Sequence, residues 1–164
     1  MQPLFSIITV CYNAADTIAV TMQSVALQTC RDYEHIIVDG ASKDSTLQIA
    51  RSLATSCTRI VSEPDRGIYD AMNKGMDRAC GKYLIFLNAG DAFHAPDTLA
   101  VIAGAIMKNH FPGVLYGQTD IVDAEGRYLG PRHLIAPPKL SYKSFAQGMV
   151  VCHQAFIVLA RIAM

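Results

Sequence analysis

The sequence lacks any uninterrupted apolar run of the roughly 18 residues that a transmembrane helix needs, although 51% of its 164 residues are hydrophobic. The first residues also lack the pattern of a secretory signal peptide, because a strand-like run begins almost at once. These two absences predict a cytoplasmic protein, one that would meet a membrane only by peripheral contact at its inner face.

Cysteine patterns typical of zinc sites or disulfide frameworks are absent as well. The five cysteines, at positions 11, 30, 57, 80 and 152, are odd in number and form neither C-x-x-C nor Cys/His zinc spacing. The spacing therefore predicts reduced thiols in the core, in keeping with a reducing compartment.

An excess of charge of either sign is also missing, since 14 basic residues balance 14 acidic ones. A protein that holds nucleic acid on a basic surface is disfavoured, and we expect no nucleic-acid partner. The charges are unevenly placed, however, because no acidic residue follows Glu125. The last third either faces an anionic partner or is a solvated surface whose acidic partners lie elsewhere in the fold. Its basic residues are Arg127, Arg132, Lys139, Lys143 and Arg161.

Short apolar runs alternate with segments of helical spacing along most of the chain. Strands are predicted at 4–10, 35–39, 59–62, 83–87 and 114–116, with helices near 14–28, 42–53, 68–79 and 96–108. Residues 120–129 indicate a hairpin, 130–148 a surface loop and 149–164 an apolar ending. This order predicts an α/β fold: one mostly parallel sheet flanked by helices on both faces, with a small antiparallel part after residue 115.

The stretch 82–91 (KYLIFLNAGD) has an apolar run that ends abruptly in polar residues. Residues 83–87 show no alternation, which is typical of a parallel strand covered on both faces. Asn88, Gly90 and Asp91 then lie at the carboxyl end of this strand, where open α/β sheets bind ligands. The same residues also suit a plain turn, so the pattern alone leaves a turn and a metal site open.

Two further strand ends carry carboxylates. Asp39 ends the second strand just before Gly40, and the loop 63–67 (EPDRG) follows the third. If these groups converge with Asp91, they repel one another unless a divalent cation or a ligand rich in hydroxyls and donors lies between them. The sequence therefore predicts a polar ligand site at this edge of the sheet.

Five segments follow one another in a recognisable order: residues 6–13 (SIITVCYN), 36–46 (IIVDGASKDST), 62–75 (SEPDRGIYDAMNKG), 87–91 (LNAGD) and 152–156 (CHQAF). Together they resemble the family 2 glycosyltransferases of the GT-A fold, and among these the bacterial members that build surface polysaccharides. The resemblance implies one Rossmann-like domain that moves a sugar from a UDP or GDP sugar to a glycan or lipid-linked acceptor. Residues 1–116 would bind the nucleotide sugar, and residues 117–164 would form an incomplete acceptor side.

The resemblance also assigns residues to the sugar donor. Asp39 would hold the base or the ribose, since a carboxylate accepts from N–H and O–H groups, and Tyr12 would offer a flat aromatic face. Arg66 would suit the diphosphate through its paired donors. From the residues alone, Asp39 also fits a turn cap and Arg66 a solvated loop charge. The donor residues so implied are Thr9, Tyr12, Asn13, Asp39, Asp65, Arg66 and Asn73.

For the metal, the resemblance places Asp91 at the last acid of a D-x-D motif. Asn88 and Gly90 stand where many relatives have further aspartates, so one carboxylate is left. Mg²⁺ or Mn²⁺ could still be held with diphosphate oxygens and water, and would stabilise the leaving diphosphate. His153 would complete the metal shell or touch the acceptor, although a lone histidine in an apolar stretch also fits a hydrogen-bonded core residue.

A catalytic base is the missing part. The resemblance implies an inverting displacement in which an acid beyond the His-Gln segment deprotonates the acceptor, yet no acid follows Glu125. Either the sequence is the N-terminal part of a longer protein with the base beyond Met164, or Asp120, Asp123 or Glu125 takes the role. This predicts a chain that binds its donor better than it turns it over.

Two other functions remain open on the sequence. A nucleotidyltransferase shares the architecture, but it needs a Gly-rich, basic phosphate loop after the first strand, which residues 11–14 (CYNA) do not provide. A nucleotide-sugar-binding or degenerate module without catalysis would fit the missing base and the reduced metal motif.

Overall fold

A computed structural model describes residues 2–133, 135–146 and 148–163. The strands are β1 Phe5–Cys11, β2 Tyr33–Asp39, β3 Thr58–Ser62, β4 Tyr83–Phe86, β5 Val114–Tyr116, β6 Asp120–Val122, β7 Tyr128–Pro131 and β8 Phe156–Leu159. The α-helices are α1 Ile18–Ala26, α2 Thr46–Ser52, α3 Ile68–Met76, α4 Thr98–Lys108 and α5 Ala160–Ala163, with 3₁₀ turns at Tyr142–Phe145 and His153–Ala155.

The main sheet has six strands in the order β3-β2-β1-β4-β8-β5, and β6 and β7 form a separate hairpin. Strand β1 pairs in parallel with β2 and β4, and β2 pairs in parallel with β3. Strand β8 is antiparallel to both β4 and β5. The predicted mostly parallel sheet with a small antiparallel part is therefore confirmed.

Helices cover both faces of this sheet. Phe5 and Ile7 of β1 pack with Leu99 of α4 on one face, whereas Ile8 of β1 packs with Met72 of α3 on the other. Every residue of β1 is buried. Apolar residues consequently face both ways along the central strands, which explains why the sequence shows no alternation there.

The end of the chain departs from a regular succession of βα units. The segment of β8, Phe-Ile-Val-Leu, inserts between β4 and β5, so that β5 is not the neighbour of β4. Val158 is paired with Leu84 on one side and with Val114 on the other. Strand β8 brings the 3₁₀ turn before it, His153–Ala155, to the carboxyl end of β4. None of the helices in the described ranges is both long and apolar enough to cross a bilayer.

Candidate functional site

A cavity of about 480 Å³ opens at the carboxyl ends of β1, β2 and β3. Tyr12, which follows β1, contributes an aromatic ring that is 58% exposed. The cavity is of the size that small organic ligands occupy. Its lining comes from three loops and consists of Tyr12, Gly40, Ala41, Lys43, Pro64, Asp65 and Gly67.

Gly40 is required for the close approach of two of these loops. A Cβ atom at Gly40 would collide with the carboxylate of Asp65 and would lie 3.3 Å from Cδ2 of Tyr12. The Asp65 carboxylate accepts a hydrogen bond from the Gly67 amide at 2.8 Å. The absence of a side chain at Gly40 thus lets Asp65 lie beside Tyr12.

Asn13 ties the loop after β1 to the loop after β2. Its side-chain oxygen accepts from the Lys43 amide at 2.9 Å, and its own amide donates to Ser42 Oγ at 2.8 Å. The backbone of Asn13 has φ 48°, a left-handed conformation that asparagine tolerates well. Asn13 therefore shapes the rim of the cavity, and its side-chain oxygen is occupied by protein.

Asp39 lies behind the cavity and has no exposed surface. Its carboxylate accepts from the hydroxyl of Ser42 and, at 2.6 Å, from the hydroxyl of Ser62. The Ser42 amide adds a further bond at 3.2 Å. The turn cap that Asp39 offers as one alternative is thus formed, with hydroxyls of two serines bound to the carboxylate, and binding of the base or the ribose stays a prediction.

The Cys11 thiol contacts Asp39 from below, with its sulfur 3.8 Å from Oδ1. Burial, reinforced by the negative charge of Asp39, raises the pKa of Cys11 to about 12. The thiol stays protonated at neutral pH, so Cys11 is an unreactive donor beneath the site.

Thr9 does not border the cavity, which corrects its assignment as a donor-binding residue. Its side chain has no exposed surface, and its hydroxyl lies 2.9 Å from Nε2 of His35 within the core. Alternate residues of a strand point to opposite faces, and Thr9 points into the layer between sheet and helices. Burial lowers the pKa of His35 to about 4, so this core histidine is neutral.

Arg66 and Asn73 also lie apart from the lining. The Arg66 side chain is 91% exposed, and its ion pair within the described ranges is with Asp70, at 3.5 Å. Asn73 is an exposed residue of α3. The structure therefore brings Tyr12 and Asp65 together at the cavity, places Asn13 and Asp39 around it, and leaves Arg66 and Asn73 at its periphery.

Helix α3 holds the 63–67 loop in place. Lys74 donates to the carbonyl of Pro64 at 2.6 Å and lies 3.2 Å from Asp70, four residues earlier on α3. The amide of Arg66 donates to Asp70 at 3.0 Å, and this bond is the main reason that the pKa of Asp70 is lowered. Asp65 is consequently presented by a loop that is fixed at both sides.

A second group of polar side chains surrounds the turn after β4. The Asp91 carboxylate accepts from Nε2 of Gln154 at 2.8 Å. Nδ2 of Asn88 lies 2.9 Å from Nε2 of His153. Since an amide nitrogen only donates, Nε2 of His153 is the acceptor. Burial lowers the pKa of His153, Asp91 opposes that shift and Arg132 adds to it, so the ring is neutral at neutral pH.

This donor set fits a divalent cation only in a limited way. Within residues 2–133, 135–146 and 148–163, no three side chains of His, Cys, Asp or Glu are grouped so as to hold a metal. Of the two alternatives for Asp39, the 63–67 loop and Asp91, a cation held jointly by their carboxylates is therefore not formed among the described residues, and a polar ligand stays a prediction. Asp91 can still supply one carboxylate, whereas His153 must first give up its bond to Asn88. Such a site suits an ion that takes most of its ligands from a bound diphosphate and water.

The acids considered as catalytic bases have different surroundings. Asp123 accepts from the amide and from Nε of Arg127, at 2.8 and 2.6 Å for its two oxygens, and these bonds lower its pKa. Glu125 also pairs with Arg127, at 2.9 Å. Asp120 instead lies 3.2 Å from Nδ1 of His94, in the segment that follows Asp91. Asp123 is thus committed to the hairpin turn, which corrects its assignment as a base, while Asp120 lies near the Asp91 turn.

Several site residues escaped the sequence reasoning. Lys43 lines the cavity, Ser42 and Ser62 cover Asp39, and Gln154 holds Asp91. Ser42 and Gln154 lie inside the motif segments at 36–46 and 152–156. Their position in those motifs is the sequence feature that could have identified them as site residues. Serines at strand ends otherwise look like ordinary turn residues.

Comparison with known proteins identifies the family. The model of the family described as "Glycosyl transferase family 2" matches residues 6–164. A PGL/p-HBAD biosynthesis glycosyltransferase of Mycobacterium tuberculosis is 37% identical over 156 residues, which are 93% of this chain and 58% of the relative. The putative teichuronic acid biosynthesis glycosyltransferase TuaG of Bacillus subtilis is 40% identical over 93 residues, 55% of this chain and 37% of TuaG. The chain thus spans little more than half the length of the mycobacterial relative.

Solved structures share the architecture. S. aureus TarS 1-349 in complex with UDP superposes with a TM-score of 0.76 at 23% identity, covering 96% of this chain and 47% of TarS. At that identity the likeness shows the fold. The mannosyltransferase PcManGT from Pyrobaculum calidifontis, in complex with GDP-Man and Mn²⁺, gives a TM-score of 0.60 at 27% identity over 75% of this chain and 36% of that protein.

Proposed function

The chain belongs to glycosyl transferase family 2, and on that premise we propose that it transfers a sugar from a nucleoside diphosphate sugar to an acceptor hydroxyl. The observation that carries the proposal is the cavity at the carboxyl ends of β1, β2 and β3, with Tyr12 and Asp65 in its lining. Ligands of open α/β sheets bind at this edge. The complexes of TarS with UDP and of PcManGT with GDP-Man support the same ligand class.

In this proposal the nucleoside occupies the 480 Å³ cavity. The Tyr12 ring packs against the base or the ribose, and the Asp65 carboxylate accepts from a ribose hydroxyl. Asp39 reaches the base only if Ser42 or Ser62 turns aside, because both hydroxyls now donate to its carboxylate. Lys43 adds a positive charge at the rim.

The diphosphate then extends toward the Asp91 turn. Asp91 would hold Mn²⁺ or Mg²⁺, with His153 as an additional ligand, and the ion would stabilise the charge that develops on the leaving diphosphate. The presence of Mn²⁺ in the PcManGT complex supports a divalent ion at this end. Gln154 fixes one carboxylate oxygen of Asp91, which orients the group before the ion binds.

For the acceptor we propose a glycan or a lipid-linked sugar, in line with the names of the mycobacterial and Bacillus relatives. Peripheral contact with a membrane belongs to the same proposal. The transfer would invert the anomeric carbon by direct displacement, which needs a base beside the acceptor hydroxyl. Asp120 is the better placed of the acids considered within the chain, and a base beyond residue 164 stays a prediction.

Titration calorimetry with UDP, GDP and their sugar conjugates, with and without Mn²⁺, tests the donor site. We expect one of these nucleotides to bind, and Gly40→Ala to weaken that binding about tenfold, or ~1.4 kcal/mol. The reason is that the new methyl group displaces Asp65 and Tyr12 from the cavity.

Gly104→Ala is the matched control. Gly104 is an exposed position of α4, and a Cβ added there meets nothing within 4 Å. Nucleotide binding should be unchanged in this variant. A wild-type chain that binds none of the nucleotides, or a Gly40→Ala variant that binds as tightly as wild type, contradicts the proposed donor site.

A further inference from the structure

The β6–β7 hairpin and the residues just before it contact segments next to the Asp91 turn. On one side, Asp120 lies 3.2 Å from His94, which follows Asp91 in the chain. On the other side, the Gly117 amide donates at 2.9 Å to the carbonyl of Ala155, next to His153 and Gln154. The base of the hairpin is closed where the Arg132 amide donates to the Thr119 carbonyl at 2.9 Å. Arg132 is therefore carried to the same end of β4 as Asp91.

The guanidinium of Arg132 has an unmet donor there. Among the described residues, Nη1 of Arg132 and Oδ1 of Asn88 are the buried side-chain atoms that have no hydrogen-bond partner. A buried donor without an acceptor costs about 1–3 kcal/mol, and more when the group is charged. An unsatisfied buried group in a native structure calls for an explanation, and a functional role or a bound species is one of those that apply.

The second arginine of the hairpin shows the contrast. Arg127 is exposed and pairs with Asp123 at 2.6 Å and with Glu125 at 2.9 Å. No carboxylate of the described residues forms an ion pair with Arg132. The hairpin therefore has one arginine that holds its own turn and a second, Arg132 at its base, whose buried Nη1 has no partner among the described residues.

We propose that Arg132 is a phosphate-binding residue, whose guanidinium takes the oxygens of the donor diphosphate at the Asp91 turn. The inference rests on the proposed nucleotide-sugar function and names a part of that site. A guanidinium offers paired donors that match two phosphate oxygens, and its charge persists at any pH at which the protein is folded.

The charge balance of the site agrees with this role. A nucleoside diphosphate brings several negative charges, and Asp91 adds one more. A cation held by a single protein carboxylate offsets them only in part. Arg132 supplies a positive charge where the leaving group gathers negative charge. The Asn88 side chain contacts His153 through Nδ2, and its Oδ1 is left as an acceptor for a sugar hydroxyl.

Titration of the 164-residue chain with UDP, uridine and inorganic pyrophosphate tests the assignment in wild type, Arg132→Gln, Arg132→Lys and Arg127→Gln. We expect Arg132→Gln to weaken UDP about 10–100-fold, the range for one charge-assisted hydrogen-bonded pair, and to leave uridine unchanged. Arg132→Lys should recover part of the loss, because the charge returns without the paired donors. Arg127→Gln should bind UDP like wild type, which controls for loosening of the hairpin.

A spectroscopic signature separates binding from a structural role. Pyrophosphate should shift the imidazole resonances of His153 in wild type and not in Arg132→Gln. Saturating UDP should abolish the pyrophosphate response if the phosphates are those of the donor. If the response persists in the UDP complex, the subsite serves an acceptor phosphate and the donor assignment is wrong.

The failures of the two proposals can be told apart. Equal UDP affinity in wild type and Arg132→Gln overturns the role of Arg132 and leaves the donor site standing. A pyrophosphate response that depends on Arg132, in a chain that binds no nucleotide, shows that Arg132 binds phosphate but overturns the donor function, and with it the assignment of that phosphate to the donor. Weakening of UDP by Arg127→Gln as large as by Arg132→Gln would assign the effect to the hairpin and would refute the proposal.

Discussion

Two serine hydroxyls stand between the Asp39 carboxylate and the cavity. A carboxylate with this many donors needs no ligand to be stable, yet it remains an acceptor that a base N–H could engage if one serine rotates. In the free chain Asp39 therefore acts as a loop clamp, and its contact with a nucleotide belongs to the proposed donor site.

His35 makes the stability of the protein depend on pH. Its folded-state pKa, about 4, is below the unfolded value of 6.5, so the unfolded chain binds the proton first as the pH falls. The stabilisation is complete above about pH 6.5 and is lost as the pH falls toward 4. Between pH 7 and pH 5 we expect a loss of about 2 kcal/mol from this residue.

Urea unfolding of wild type and His35→Gln at these two pH values measures the effect. The substituted chain lacks the titrating ring, so its free energy of unfolding should fall by about 2 kcal/mol less than that of wild type between pH 7 and pH 5. Equal losses in both proteins would show that His35 is not neutral and buried as described. The pKa values of Asp44, Asp70 and Asp123 are lowered, so their contributions to stability change at more acidic pH than the range from pH 7 to pH 5.

At single residues, the motifs indicate which side chains lie near the cavity but not which way they point. Tyr12 and Asp65, which the resemblance assigns to the donor, both line the cavity. Thr9, assigned in the same way, lies in the core, because a strand without alternation does not show which face each residue takes. Whether Asp123 is free to act depends on Arg127, four residues away in a bulged hairpin.

The loops after β1 and β2 act as one element because they are joined by hydrogen bonds. Besides the bonds of Asn13, the Ala14 amide donates to Oγ1 of Thr46 at 2.7 Å, and the Ala15 amide donates to Asp44 at 3.1 Å. Thr46 is fully buried. These bonds satisfy the amides that precede α1, for which no side-chain cap is present.

Thr46→Val should therefore destabilise the joined loops. Valine keeps the shape of threonine but leaves the Ala14 amide without its acceptor, which costs about 1–3 kcal/mol. Urea unfolding monitored by circular dichroism measures the loss. Tyr12, two residues before Ala14, should also lose order, which would appear as weaker nucleotide binding.

Thr17→Val is the control for the same chemical change. Thr17 is exposed, at the start of α1, and its hydroxyl makes a long bond of 3.4 Å to the Ala14 carbonyl, which leaves the Ala14 amide untouched. Its substitution should change the free energy of unfolding by less than about 0.5 kcal/mol. If Thr46→Val is as mild as Thr17→Val, the loop bonds do not stabilise the fold as inferred.

For strands and helices, the local sequence pattern is enough to predict the elements whose neighbours in sequence are also neighbours in space. The predicted strand at 114–116 coincides with β5, and the others agree with β1 to β4 to within about two residues. The place of β8 could not be predicted, because Phe156–Leu159 pairs with Tyr83 and Leu84, more than seventy residues earlier. Its insertion beside β4 is what positions His153 and Gln154.

In the described part of the chain, a cavity opens at each end of the sheet. Besides the 480 Å³ cavity at the carboxyl ends, one of about 420 Å³ lies at the amino ends of β1 and β4, with Lys82, Phe111 and Arg161 in its lining. The rule that ligands bind at the carboxyl ends of parallel strands selects the first. The second cavity also has positively charged residues in its lining, so an experiment with nucleotide decides between the two cavities.

Amide chemical-shift mapping of the chain with UDP and Mn²⁺ tests whether the nucleotide binds at the carboxyl ends of β1, β2 and β3. We expect the largest shifts in the cavity lining and smaller ones at the Asp91 turn. The lining residues concerned are Gly40, Ala41, Lys43 and Gly67. Shifts confined to Lys82, Phe111 and Arg161, or no shifts at saturating nucleotide, would contradict a nucleotide-sugar site at the carboxyl ends of β1, β2 and β3.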